Sequence, residues 1–170
     1  MQGKATVAGH PVHPMLVTFP IGCFVAAVVS DIVSIWAGPV FWAQMSTWLL
    51  LFGILGGLLA ALFGFVDYLT APMSIEAKNV AAWHMTLNIA MIVIFGIACA
   101  VRFLEPASVA GYALTGLGFV VLAAAGVLGG NIAHRHLVGS TEEDVYTARE
   151  AADDTRWTRG EVSPLSARRR

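Results

Sequence analysis

Four long apolar runs, separated by short breaks, make up most of the first 139 residues. The runs cover about residues 15–36, 41–69, 80–104 and 109–133. Each is near the roughly 20 residues that a helix needs to cross a bilayer. Glycine or proline stands in each of the breaks, at residues 37–40, 70–78 and 105–108. Connections this short make neighbouring helices antiparallel, so the pattern predicts an all-α, up-down-up-down transmembrane bundle of four helices.

The composition changes at residue 140, after which the chain is polar. Ser140 stands three residues before Glu143, which is the spacing of a capping box. We therefore expect a short helix over about 141–152, followed by a disordered remainder. The sequence thus divides into a four-span domain, residues 1–139, and a polar tail, residues 140–170.

The overall composition supports a membrane protein and excludes several other classes. Hydrophobic residues make up 57% of the 170, and charged residues only 12%, about half the share in a typical soluble domain. The net charge of −1 and the lack of a basic stripe argue against nucleic-acid binding. No phosphate loop, dinucleotide motif or nucleophile elbow is present, so the sequence does not indicate a soluble enzyme.

The distribution of cations predicts the orientation. Both chain ends and the 70–78 break fall on one side of the predicted bundle, with Lys4, Lys78 and Arg135, whereas Arg102 falls on the other. Cytoplasmic loops carry the excess of Lys and Arg. We therefore predict a multi-pass protein with both termini in the cytoplasm.

All five histidines fall at the predicted cytoplasmic end. His10 and His13 precede the first span, His84 lies one turn into the third, and His134 and His136 close the fourth. His84 is the sharpest signal, because polar side chains inside a span usually face the bundle interior and mark a site. His134 and His136 are two residues apart, so a helix can turn only one of them inward.

Other polar residues are candidates for supporting roles. Asn88 lies one turn beyond His84 on the same helical face. Asp67 ends the second span at the level of the histidines, where it could accept a hydrogen bond from an imidazole or pair with Lys78. Asn131 lies near the same level. Asp31 lies toward the other side, and we expect it to be structural, with Gln44, Ser46 or Thr47 as partners.

Small residues and cysteines have simpler interpretations. Gly53 and Gly57, and likewise Gly126 and Gly130, form GxxxG motifs, which let helices approach closely. We interpret them as packing within the chain; a homodimer interface or room for a flat cofactor is the alternative. Cys23 and Cys99 should lie at different depths, too far apart for a disulfide.

Several of these features together resemble a bacterial membrane family called domain of unknown function 2231. The resemblance covers about residues 9–139 and rests on the opening HPxHPxLVxFPIG, the aspartate ending span two, the HxxxN of span three and the glycine-rich close of span four. In that close, His136 matches a family histidine, whereas His134 and Leu137 replace a tyrosine and a glycine. The resemblance implies a bacterial inner membrane location. The resemblance also implies a likeness to four-helix haem b cytochromes and to relatives joined to iron–sulfur domains.

The leading functional hypothesis is haem b binding and electron transfer, with His84 as one ligand and His13 or His136 as the other. His10 is a further candidate ligand. Alternatives are a non-haem metal site built from His10, His13, His84, His136 and Asp67, an ion path through Asp31, His84 and Asp67, or a structural subunit of a membrane complex. A redox partner would follow from the first hypothesis, and whether the protein is an enzyme stays open.

Overall fold

A computed structural model describes residues 5–8, 10–38, 40–134, 150 and 159. Two short strands, β1 (Thr6–Val7) and β2 (His10–Pro11), precede four helices: α1 (Val12–Ala37), α2 (Val40–Thr70), α3 (Ile75–Leu104) and α4 (Val109–His134). All four helices are long and apolar enough to cross a membrane, which confirms the predicted spans. The helix predicted over 141–152 and the rest of the tail lie outside the described residues, apart from Glu150 and Arg159.

Two helices begin earlier than the apolar runs predicted, because their first turns are polar or contain proline. Helix α3 begins at Ile75 rather than near residue 80, and the Ser74 hydroxyl caps it by accepting a hydrogen bond from the Ala77 amide at 3.1 Å. Helix α1 begins at Val12, after Pro11. His13 therefore lies in the first turn of α1 and not before it.

The outer surface of the bundle is apolar, as a bilayer requires. Large side chains such as Leu55, Leu62 and Val120 are more than half exposed, and many others along all four helices resemble them. A soluble monomer rarely leaves apolar patches of this extent uncovered. The protein is an integral membrane protein whose helices turn these side chains toward lipid.

Inside, the bundle consists of two antiparallel hairpins packed against each other. Helix α1 packs mainly on α2, and α3 packs mainly on α4. The rings of Phe24 and Phe95 stack between the hairpins with their centroids 4.3 Å apart. Each ring lies over a glycine of its own hairpin, Phe24 over Gly53 and Phe95 over Gly118. Phe24 and Phe95 both belong to the buried core cluster of the bundle.

The N-terminal strands form a small antiparallel ribbon at the end of the bundle where α1 begins. Thr6 pairs with Pro11 and Val7 with His10. The Ala5 amide donates a hydrogen bond to Asp67 Oδ1 at 3.3 Å, which ties the ribbon to the last turn of α2. The two cysteines are free.

Candidate functional site

A cavity of about 430 Å³ lies between the two hairpins, near the end of the bundle where α1 begins. Residues of all four helices line it, and its walls are mainly apolar. The cavity exists because small residues line part of it, among them Gly57 and Ala61 of α2 and Gly126 of α4. Its volume falls within the roughly 300–1,000 Å³ of small-molecule sites.

His13 lines this cavity from α1 and is held by α2. Its Nδ1 lies 2.8 Å from the carbonyl oxygen of Ala60. The ring packs directly over Gly64, one turn beyond Ala60, where a Cβ atom would lie only 2.9 Å from Cε1 and Nδ1. Glycine at this position lets the ring reach a carbonyl that the helix would otherwise cover.

His84 lines the same cavity from α3 and is held by α4 in the same way. Its Nδ1 lies 2.9 Å from the carbonyl oxygen of Ala125. A Cβ atom on Gly129, again one turn beyond, would lie 3.0 Å from Cε1 of the ring. The amide nitrogen of Asn88 lies 3.2 and 3.4 Å from the two ring nitrogens. These nearly equal distances place the amide beside the ring and not on the Nε2 lone pair.

These hydrogen bonds fix the tautomer of both rings. A carbonyl oxygen only accepts, so Nδ1 of each ring is the donor, and in the neutral form of the ring Nε2 carries the lone pair. Metal-binding histidines typically donate their other ring nitrogen to a carbonyl or carboxylate, which orients the ring and raises its basicity. The rings of His13 and His84 are thus oriented by main-chain carbonyls, as the rings of metal-binding histidines commonly are.

The structure brings together only some of the residues that the sequence suggested. Asp67 and Asn88 line the cavity with the two histidines, whereas Asn131 is half-buried and is not part of the lining. The His10 ring is exposed and bonds within its own turn, at 3.0 Å from the Ala8 carbonyl oxygen. His136 and the side chain of His134 lie outside what the structure describes.

A second polar cluster, which the sequence did not reveal, is buried at the other end of the bundle. Arg102 Nη2 donates to Asp31 Oδ2 at 2.5 Å and to Thr115 Oγ1 at 3.2 Å. The guanidinium carbon lies 4.8 Å from the centre of the Tyr112 ring. The ion-pair partner of Asp31 is therefore Arg102 of α3, which the sequence did not suggest, and Arg102 is fully buried.

A sequence model of the family described as "Predicted membrane protein (DUF2231)" matches residues 9–142. The chain belongs to this family. The matched range contains all four helices and every residue of the cavity lining. No curated protein and no solved structure matches the chain.

Proposed function

We propose that this protein binds haem b between its two hairpins and transfers electrons in the membrane. The observation that carries the proposal is that two imidazoles line one cavity and make the same hydrogen bond to a main-chain carbonyl. His13 and His84 both place Nδ1 on a main-chain carbonyl, at 2.8 and 2.9 Å, which leaves Nε2 of each ring as the nitrogen that could bind iron. Bis-imidazole haem requires two such ligands from facing helices.

The number of available ligands favours haem over a single metal ion. A protein zinc site takes three or four side-chain ligands, and the described residues contain no group of three or more histidines, cysteines and carboxylates that could hold a metal. A porphyrin supplies four nitrogens itself, so two histidines complete the coordination of its iron.

The cavity also suits a flat apolar ligand. Its walls are mainly apolar, and Gly57, Ala61 and Gly126 leave a gap between facing helices. Bound haem would supply a one-electron iron couple. His13 and His84 would hold it, Ala60 and Ala125 would keep both rings in the required tautomer, and a redox partner would dock at the end of the bundle nearest the site.

The visible spectrum tests this proposal. Protein produced with ample haem precursor and purified in detergent should show a Soret band that sharpens and shifts on reduction with dithionite. His13→Ala and His84→Ala should each abolish the six-coordinate spectrum. His10→Ala is the matched control, because His10 belongs to the same segment but lies outside the cavity, and it should leave the spectrum unchanged.

The alternatives give different results in the same sample. Folded, monodisperse protein that stays colourless would overturn the haem proposal. A stoichiometric zinc or iron signal in that colourless protein would favour a non-haem metal site completed by residues beyond those described. Neither colour nor metal would favour a structural subunit.

A further inference from the structure

The two hairpins correspond to each other residue by residue. Four residues of α1 recur with the same identity 71 positions later in α3: His13, Leu16, Phe24 and Ala27 match His84, Leu87, Phe95 and Ala98. Four residues of α2 recur 65 positions later in α4: Leu49, Gly53, Ala60 and Gly64 match Leu114, Gly118, Ala125 and Gly129. The constant offsets indicate two copies of one helical hairpin.

The corresponding residues also make corresponding contacts. His13 bonds Ala60 and packs on Gly64, as His84 bonds Ala125 and packs on Gly129. We compared the burial of each residue from Leu50 to Ala60 with that of the residue 65 positions later. At ten of the eleven positions the two residues are in the same class: buried, half-buried or exposed. Shared packing at matched positions is independent of the shared residue types and supports the same duplication.

The copies face each other across a two-fold axis that runs along the helices. In a two-fold interface each residue meets its own counterpart near the axis, and two counterpart pairs do so. Phe24 stacks on Phe95, and Asp31 pairs with Arg102, again 71 positions apart. His13, Phe24 and Asp31 are spaced by eleven and seven residues, which keeps them on one helical face. His13 and His84 therefore face the same axis.

The cavity itself follows this symmetry. Each α2 residue that lines the cavity has a counterpart 65 positions later in α4 that also lines it. The first such pair is Gly57 with Leu122, and the last is Tyr68 with Ala133. Among the lining residues of α1, only Phe24 has a counterpart that is not part of the wall. The cavity thus lies on the axis between two nearly equivalent walls.

We infer that His13 and His84 are equivalent half-sites that hold one ligand on this axis, with the ligand plane containing the axis. A two-fold axis within the plane of a metal macrocycle exchanges its two faces, and so exchanges its two axial ligands. The ligand class is a six-coordinate macrocycle that stands edge-on, parallel to the helices and perpendicular to the membrane. Its identity as haem rests on the proposed function, whereas the equivalence of the half-sites does not.

Nuclear magnetic resonance tests the equivalence without any ligand. Protein labelled with ¹⁵N-histidine, in lipid nanodiscs and without haem, should give, among its histidine signals, one from His13 and one from His84, each with a protonated Nδ1 and an unprotonated Nε2. Their signals should disappear in His13→Ala and His84→Ala respectively, and His10→Ala should leave both in place. A protonated Nε2 on either His13 or His84 would overturn the equivalence, whether or not haem binds.

Haem titration tests whether the two half-sites share one ligand. The wild type should bind one haem per chain, and each single variant should lose affinity to the same extent, by more than the roughly tenfold cost of losing an outer partner. Added imidazole should restore a six-coordinate spectrum in both variants, which excludes misfolding as the cause. Two haems per chain, or loss in one variant only, would contradict the shared site.

The orientation of the ligand provides a separate measurement. In oriented multilayers of the ferric protein, the gz signal of low-spin haem marks the normal of its plane. We expect maximum intensity when the magnetic field lies in the membrane plane. Maximum intensity with the field along the membrane normal would place the macrocycle flat across the axis and overturn the inferred geometry. Failure of wild-type protein to bind haem would instead reject the proposed function and leave the tautomer test decisive.

Discussion

Arg102 and Asp31 form an ion pair at counterpart positions of the two hairpins, with Nη2 and Oδ2 2.5 Å apart and both side chains almost completely enclosed. Removing one partner leaves the other as an unpaired buried charge, which typically costs about 3–5 kcal/mol. Arg102→Leu and Asp31→Leu should therefore each strongly lower the thermal stability of the protein in detergent.

The double variant tests whether the two losses of stability arise from the direct interaction between Asp31 and Arg102. Because no charge stays behind, Asp31→Leu with Arg102→Leu should be more stable than either single variant. Glu105→Gln is the control, since Glu105 is exposed at the same end of the bundle. Simple addition of the two single losses in a thermal-shift measurement would contradict direct coupling between the residues.

The glycines under the two histidine rings provide a second prediction. A Cβ atom on Gly64 or Gly129 would lie 2.9 or 3.0 Å from the ring above it, so the ring must move and its bond to the Ala60 or Ala125 carbonyl must weaken. We expect Gly64→Ala and Gly129→Ala to lower haem affinity about 10–100-fold, measured by titration, while the helical content stays unchanged.

Two other glycines of the same helices allow a comparison, since Gly116 lies outside the cavity lining and Gly57 belongs to it. A Cβ atom on Gly57 would make only ordinary contacts, at 3.7 Å or more, and one on Gly116 would meet nothing within 4 Å. Gly116→Ala should bind haem like the wild type, and Gly57→Ala should lose less affinity than Gly64→Ala. Equal loss in all four variants would indicate general disturbance of the bundle and not displacement of the imidazoles.

The helices could be predicted from the sequence because the apolar runs are as long as a membrane is thick. The placement of His13 and His84 at the same end of the bundle followed from counting turns, and both line one cavity. The pairing of Asp31 with Arg102 could not be predicted in this way, since it depends on how two non-adjacent helices rotate about their axes.

The supporting glycines were also missed, for a related reason. The GxxxG motifs begin at Gly53 and Gly126, but the glycines that contact histidine are Gly64 and Gly129. Nothing in the spacing of either distinguishes it from a packing glycine. The duplication would have identified them, because both lie one turn beyond an alanine at matched offsets. That signal rests on eight identities spread over four helices, too few to notice without the contacts.

The stacked phenylalanines provide a third prediction. Phe24 and Phe95 each fill the space above a glycine, and a Cβ atom on Gly53 or Gly118 would lie well inside van der Waals contact with the ring. Gly53→Ala and Gly118→Ala should therefore destabilise the bundle by about 1–3 kcal/mol through overpacking. Phe24→Leu should restore part of the stability lost in Gly53→Ala, because the Phe24 ring is the group that the new Cβ atom would meet. Phe95→Leu should restore less of that stability. Thermal unfolding of the four single and two double variants checks this, and strictly additive losses would be inconsistent with direct contact between ring and glycine.

The orientation in the membrane provides the last prediction. The sequence predicts that Lys4, Lys78 and Arg135 lie near the membrane on the side of the chain ends, whereas the opposing cation, Arg102, is enclosed in its ion pair with Asp31. The bias that places positive charge in the cytoplasm is therefore stronger than a count over the sequence indicates. A reporter that requires the cytoplasm should be active when fused after Arg170, and a reporter that requires export should be active when inserted in the connection between α3 and α4. Substituting Arg102 should lower the yield of folded protein without inverting this pattern, because the residue lies in the core. Export-dependent activity at the C-terminal fusion would show that the bundle has the opposite orientation, with the histidine site on the outer side of the membrane.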